Sequence, residues 1–265
     1  MTKKALLINP WIYDFAAYDL WLKPWGLLKL SAILKKKGFK LFLVDTLDRN
    51  HPLIETPVKS KPDGTGKYAA AEIEKPAPLR TVKRSYKRYG MSPEIFKKAL
   101  PADDIDLVLV SSGMTYWYPG AFDSIRIVKE RYPGARTVLG GAYATLCYDH
   151  AVKNSGADMV IRNDEFQKLN AVLGMRIDLS FEMVLELPID YTWYKDPAYG
   201  VLRVSLGCPF DCSYCAQKRL GPGFILKDKE MAIEELKGLY DSGIRNFAFY
   251  DDALFYDTVY IKDYL

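Results

Sequence analysis

The chain of 265 residues is 49% hydrophobic and 26% charged, with 37 Lys or Arg against 33 Asp or Glu and a formal charge of +4. These values exclude a disordered or fibrous chain and leave room for one large or two modest globular domains. After the basic start only four apolar residues, 5–8, precede Asn9 and Pro10, too few for a signal peptide or a membrane span. No membrane partner and a cytoplasmic location are therefore expected.

Residues 4–9 read as a strand, 27–34 as a helix closed by Gly38, and 40–45 as a second strand, which together make a βαβ unit. The pattern then pauses over an insertion of about residues 50–100, rich in Lys, Pro and Gly, which reads as carrying one or two short helices. Between residues 59 and 100 eleven Lys or Arg face four Asp or Glu, a local excess of +7 that leaves −3 for the rest of the chain. A solvated insertion is the commoner meaning of such a segment, contact with nucleic acid the rarer one.

From Asp106 the alternation becomes regular: a strand over 106–111, a helix over 121–131, a strand over 137–139 ending at Gly140-Gly141, a helix over 147–154 and a strand over 159–162. Strands alternating with helices imply a doubly wound parallel sheet covered on both faces. Ligands of such sheets bind beyond the carboxyl ends of the strands, so segments 9–24, 112–119 and 140–145 should line one crevice. Ser112, Thr115, Gly140, Gly141 and Tyr143 are the candidate cofactor-contacting residues there. Trp11, Tyr13, Phe15, Trp21 and the run Thr115-Tyr116-Trp117-Tyr118 could equally wall a flat ligand or form an interdomain core. Cys147 and His150 are two potential ligands on one helix, which do not make a metal site; a half-buried thiol is the better reading of Cys147.

Residues 166–199 read as a linker with a short amphipathic helix. A second βαβ unit follows, with a strand over 201–206, a helix over 229–240 and a strand over 246–250 that stops at Asp251-Asp252. Between the first two of these lies Gly207-Cys208-Pro209-Phe210-Asp211-Cys212-Ser213-Tyr214-Cys215. Four cysteines in the whole chain are too few for a disulfide scaffold, and three within eight residues favour metal binding in a reducing compartment. A cubane iron–sulfur cluster normally takes four thiolates, so three local ligands leave one iron open. A zinc site would want a fourth Cys or His in paired spacing, and no second pair follows Cys215.

This C-x3-C-x2-C spacing, with the aromatic Tyr214 before the last cysteine, resembles the hallmark of the radical S-adenosylmethionine superfamily. The resemblance implies a 4Fe-4S cluster on Cys208, Cys212 and Cys215, with S-adenosyl-L-methionine bound at the open iron. Reductive cleavage of its carbon–sulfur bond would release a radical that abstracts hydrogen. It also implies contacts to S-adenosylmethionine from Tyr214, Asp251 and Asp252, and an electron donor such as flavodoxin or ferredoxin.

Residues 1–165 resemble the cobalamin-binding domain that precedes the cluster domain in one class of these enzymes. The matching pieces are Pro24-Trp25-Gly26-Leu27, Leu30-Ser31-Ala32, Gly38, Asp45, the strand from Asp106 to Ser111, Leu139-Gly140-Gly141 with Ala144-Thr145, and Gly156-Ala157-Asp158 with Val160. The chain departs from that class in carrying Tyr143 where a histidine is frequent, and Asn163-Asp164-Glu165-Phe166 where Gly-Glu-Gly-Glu is frequent. It has no Asp-x-His-x-x-Gly motif, so cobalamin, if bound, would lack an obvious imidazole ligand from His51 or His150.

The expected organisation is a cobalamin-binding-type α/β domain over 1–165, a linker over 166–199, and over 200–265 the first part of a radical S-adenosylmethionine β/α barrel. A full barrel of this kind takes about 250 residues, so the chain reads as truncated within that domain. The leading functional expectation is radical enzyme chemistry, with cobalamin-dependent methyl transfer as its finer form. Its alternatives are a catalytically silent corrin- or ligand-binding fragment and a nucleic-acid-associated iron–sulfur protein.

Overall fold

The computed structural model describes residues 2–55 and 60–262. Residues 56–59, part of the basic insertion, and residues 263–265 lie outside the described residues. Strand β1 (Lys4–Asn9) is followed by β2 (Ile12–Asp14), helix α1 (Trp25–Lys36) and β3 (Lys40–Asp45). The insertion contributes β4 (Ala70–Glu72), β5 (Lys87–Tyr89) and α2 (Pro93–Ala99). Then come β6 (Leu107–Val110), α3 (Tyr118–Arg131), β7 (Arg136–Leu139), α4 (Ala142–Leu146), α5 (Tyr148–Asn154) and β8 (Met159–Val160).

Five of these strands make one all-parallel sheet in the order β3-β1-β6-β7-β8. Side chains alternate across a strand, and here both alternating sets are apolar. Leu6, Ile8, Val108 and Val110 face Phe96, Ile125 and Val128 on one side. Ala5, Leu7, Leu107 and Leu109 face Leu27, Leu30 and Leu34 of α1 on the other. Burying each Leu or Ile of β1 completely contributes about 2 kcal/mol, which makes this strand the centre of both cores. The strand order reverses between β1 and β6, and the carboxyl ends of those two strands open the crevice where doubly wound sheets bind ligands.

The segment read as a linker is built into this domain. It forms α6 (Leu169–Leu173) and α7 (Phe181–Glu186), and Leu169, Leu173, Ile177, Leu179 and Val184 complete the core under α1. Their spacing is irregular because they come from two short helices and the extended chain between them, so no sustained period marks them in the sequence. The insertion differs from expectation too. Besides α2 it forms an antiparallel sheet in the order β2-β5-β4, from three-residue strands too short to show alternation.

The second unit comprises β9 (Gly200–Leu202), β10 (Ser205–Leu206), α8 (Gln217–Leu220), β11 (Ile225–Leu226), α9 (Lys229–Asp241), β12 (Phe247–Phe249) and α10 (Thr258–Ile261). Strands β9 and β12 pair in parallel across α9, the βαβ unit expected at the start of a β/α barrel. Asp228 caps α9 by accepting from the Met231 amide at 3.0 Å, and Leu202, Leu239 and Ile244 pack between helix and strands. The expected single strand over 201–206 is split, because β10 leaves β12 and pairs antiparallel with β11. Leu28, Trp21 and Trp25 from the first unit pack with Tyr194, Tyr199 and Val201, joining the two. Among the described residues no helix is long and apolar enough to cross a membrane.

Candidate functional site

A cavity of about 530 Å³ lies between the carboxyl edge of the parallel sheet and the second unit. Asn9, Ser111 and Ser112 line its floor from the ends of β1 and β6, and Gly140 and Gly141 from the end of β7. Trp11, Trp25, Trp117, Phe166 and Phe181 supply aromatic walls, and Arg203, Gly207, Gln217 and Asp252 close it from the second unit. Such a mainly apolar, flat-walled space with a few fixed polar groups suits an organic cofactor. Neither His51 nor His150 belongs to its wall, so a corrin held there would receive no imidazole from the lining.

Two glycines set the local geometry. Gly141 has φ +96°, and a Cβ on it would stand 2.4 Å from the Ser112 carbonyl oxygen. The glycine therefore lets the β7–α4 turn close onto the β6 loop, where the Ala142 amide donates to Ser112 O at 2.9 Å and the Ser112 hydroxyl donates to Gly140 O at 2.6 Å. The close approach it permits is to Ser112, while Gly140, whose nearest neighbour would be 3.8 Å from a Cβ, is free to face the cavity. Gly207, with φ +78°, passes 2.3 Å from the Gly223 oxygen on the same measure, turning the chain sharply from β10 into the cysteine loop.

Cys208, Cys212 and Cys215 lie on one loop between Gly207 and α8, with Cys208 half-buried and the other two exposed. The Cys215 amide donates to Cys212 O at 3.0 Å, and the Gln217 amide to Cys215 Sγ at 3.5 Å. Among the described residues no three Cys, His, Asp or Glu side chains stand together as a metal-binding group, so the structure brings the cysteines to one loop without gathering their sulfurs. The donor set nonetheless fits a cluster: three thiols, outside regular structure, on a loop flanked by the cavity-lining Gly207 and Gln217, with Cys147 held elsewhere between α4 and α5. Tyr214 is 91% exposed and makes no part of the cavity wall.

The two acids after β12 have different settings. Asp251 turns inward and accepts from the Val204 amide at 3.1 Å and from the Ser205 amide and hydroxyl at 2.5 and 2.6 Å. It takes over the strand partner's task at the break between β9 and β10, and burial holds its carboxyl above the usual range despite these donors. Asp252 faces the cavity, where Gln217 Nε2 donates to it at 2.9 Å and Arg203 Nη2 lies at 3.3 Å. Arg203 is fixed further by donating Nε–H to Tyr250 O at 2.8 Å and by standing 5.2 Å from the Trp25 ring centroid.

Ser112, Gly140, Gly141 and Asp252 of the sequence candidates thus reach the cavity, and Thr115 and Tyr143 do not. Tyr143 is 1% exposed, stacks on Tyr118 with centroids 5.5 Å apart, and shares a 2.6 Å hydrogen bond with His150 Nδ1. Burial raises its hydroxyl pKa. Thr115 sits half-buried in the turn before α3.

No protein-family model matches the chain. An uncharacterized methyltransferase of Pyrococcus horikoshii is 24% identical over 191 residues, which is 59% of this chain and 41% of that protein. Two structures of TsrM, a radical S-adenosylmethionine methyltransferase from Kitasatospora setae, match 99% of the chain. The one with tryptophan substrate and a S-adenosylmethionine analogue (aza-SAM) bound does so at 14% identity and TM-score 0.62, over 50% of its own chain. The one with cobalamin and a 4Fe-4S cluster bound does so at 15% identity and TM-score 0.64, over 51%. The fold is shared with half of that enzyme. The present chain accordingly spans about half the length of the solved structures and 41% of the curated relative.

Sequence reasoning placed Asn9 at the start of a crevice-lining segment but did not single out Arg203, Gln217 or Asn163, and all four line the cavity. Asn163 opens the stretch noted above as a departure, and its side-chain amide donates to Leu220 O at 2.8 Å, tying the first unit to α8. Asn9 has a signal, since it ends the first strand of a parallel sheet. Arg203 and Gln217 had none, because they reach the cavity only once the second unit is docked.

Proposed function

We propose that this chain is part of a radical S-adenosylmethionine enzyme, with Cys208, Cys212 and Cys215 as ligands of a 4Fe-4S cluster and the interdomain cavity as the seat of a cobalamin-type cofactor in methyl transfer. The observation that carries the reading is a three-thiol loop, turned by Gly207, whose flanking residues Gly207 and Gln217 line an aromatic-walled cavity on the carboxyl edge of the parallel sheet. The likeness in fold to a methyltransferase solved with cobalamin and a 4Fe-4S cluster supports it. When bound, the cluster would supply an electron for cleaving S-adenosylmethionine and the corrin would carry a methyl group.

The chain's own residues then have defined tasks. Trp11, Trp25, Trp117, Phe166 and Phe181 exclude water from the cavity and offer flat contact surfaces. Asn9, Ser111 and Ser112 present hydrogen-bonding groups from rigid strand ends. Asp252, oriented by Gln217 and Arg203, offers a carboxylate to an ammonium group such as that of S-adenosylmethionine. Asp251 acts at one remove, holding residues 203–205 and hence the approach to the cysteine loop.

The test is anaerobic reconstitution of the chain with iron and sulfide, followed by iron analysis and equilibrium binding of S-adenosylmethionine. About four irons per chain, lost together in each of Cys208→Ala, Cys212→Ala and Cys215→Ala, is the expected result. Full iron content in any of the three variants would refute the ligand assignment.

A further inference from the structure

The small sheet β2-β5-β4, to which the basic insertion contributes two strands, closes against one wall of the cavity, the indole of Trp117. This residue sits in the turn that leads into α3, and a side chain on a turn is only as fixed as its contacts. Contacts from separate elements hold it. Its Nε1–H donates to Asp14 Oδ2 of β2 at 2.9 Å. Its ring packs on the buried cluster of Ile12, Leu47, Tyr68 and Tyr89. The ring also lies against Gly113, where a Cβ would stand 3.0 Å from Cε3 and 3.3 Å from Cζ3. Gly113 and Trp117 both line the cavity.

Asp14 does not itself line the cavity, yet its own place is closely set. It ends β2 opposite Lys87 of β5, and its Oδ1 accepts from the Phe15 amide at 2.6 Å. The residue before it, Tyr13, donates its hydroxyl to Asp123 of α3 at 2.5 Å, and the Tyr13 carbonyl accepts from the Tyr86 hydroxyl at 3.2 Å. Strand β2 is thereby tied both to the small sheet and to the helix that follows Trp117. A hydrogen bond to a carboxylate is roughly twice as strong as one between neutral groups. The Asp14 bond therefore fixes which edge of the indole turns toward β2 and, with it, which part of the ring meets the cavity.

We infer, on the reading of the cavity as a corrin seat, that Asp14 is a positioning residue: it holds the Trp117 ring as a fixed flat wall, and the small sheet is the brace that holds Asp14. A flat conjugated ligand gains most from a wall whose orientation is set before it arrives, because ordering a loose side chain on binding subtracts from affinity. The insertion then serves the cavity through a side chain that never touches the ligand.

The test joins a proton–nitrogen correlation spectrum of the ligand-free chain with equilibrium binding of hydroxocobalamin. The chain holds five tryptophans, so its indole N–H signals are few, and that of Trp117 is the one lost in Trp117→Phe. In Asp14→Ala this signal should move upfield and exchange faster with solvent deuterium, and hydroxocobalamin should bind about tenfold more weakly. Asp14→Asn, of the same shape, leaves one neutral oxygen for the Phe15 amide and the indole to share, so it should shift the signal the same way by less, whether or not Asp14→Ala folds. In a Trp117→Phe background Asp14→Ala should weaken binding no further, whereas general loosening would weaken it in either background. A Trp117 signal unmoved in both Asp14 variants, wild-type affinity in Asp14→Ala, or the same loss in both backgrounds would overturn the inference. A wild type that retains no hydroxocobalamin while the Trp117 signal moves would refute the corrin reading and leave the positioning by Asp14 standing.

Discussion

Replacing Lys29 by methionine should remove a pH dependence of stability that is written into the joint between the two units. Lys29 of α1 is 1% exposed, and its ammonium donates to Leu185 O at 3.2 Å and to Leu187 O, with Glu235 Oε1 of α9 at 3.5 Å. Glu235 also binds Lys227 at 2.5 Å. Burial outweighs the pull of Glu235 and lowers the Lys29 pKa to about 8 from its ordinary 10.5. Between those values the unfolded chain holds a proton that the folded chain has released, so stability rises with pH across that window. At about 1.4 kcal/mol per pH unit for a full proton, the rise amounts to about 3 kcal/mol. Methionine matches the length of the side chain, and Lys227 still neutralises Glu235, so no orphan charge is created. Urea unfolding of both proteins at several pH values from about 7 to 10.5 gives the comparison, and other titrating groups cancel in the difference. The stability of the wild type should gain about 3 kcal/mol relative to Lys29→Met as pH rises through this range. Parallel pH profiles for the two proteins would refute the argument.

Other substitutions probe the site itself. Gly141→Ala places a Cβ 2.4 Å from Ser112 O at a positive φ and should cost about 2–4 kcal/mol; an unchanged urea midpoint would show that the β7–α4 turn relaxes freely. Asp251→Asn keeps the shape and leaves one side-chain oxygen to accept from the Val204 and Ser205 donors, so its effect should show in the pH dependence of stability. Because burial raises the Asp251 pKa in the folded state, its contribution is largest in acid and declines as pH rises from the ordinary carboxylate value through the folded one. The Asn variant should lack that decline, and a difference between the two proteins that is flat with pH would contradict it. Trp25→Ala removes a cavity wall and the ring facing Arg203, so corrin retention in an equilibrium binding assay should weaken about tenfold or more. Unchanged retention would move any corrin elsewhere.

Much of the fold could be read from the sequence because it rests on local patterns. The runs from Lys4, Lys40 and Asp106 are apolar at nearly every position, as a strand buried on both faces requires, and the intervening helices carry their own stop signals at Gly38 and Pro133-Gly134. The sequence also showed that the three cysteines share one loop after a strand, because they lie within eight residues of one another. Ser112, Gly140 and Gly141 share the cavity edge, as expected, because strand ends in a parallel sheet lie along one edge, whatever the order of the strands.

What the sequence determined by itself was therefore the main alternating strands and helices and the parallel class of the large sheet. The tertiary structure decided the rest through contacts between residues far apart in the chain. It paired Ile12–Asp14 with Lys87–Tyr89 in a sheet of very short strands and folded residues 166–199 into the core under α1. It also gave two adjacent acids different tasks, with Asp251 tied to Ser205 and Asp252 paired with Arg203 on the cavity wall. No local period records such choices, because each is made by what the docked partner offers: an unpaired strand edge, an uncovered helix face, or an amide in need of an acceptor.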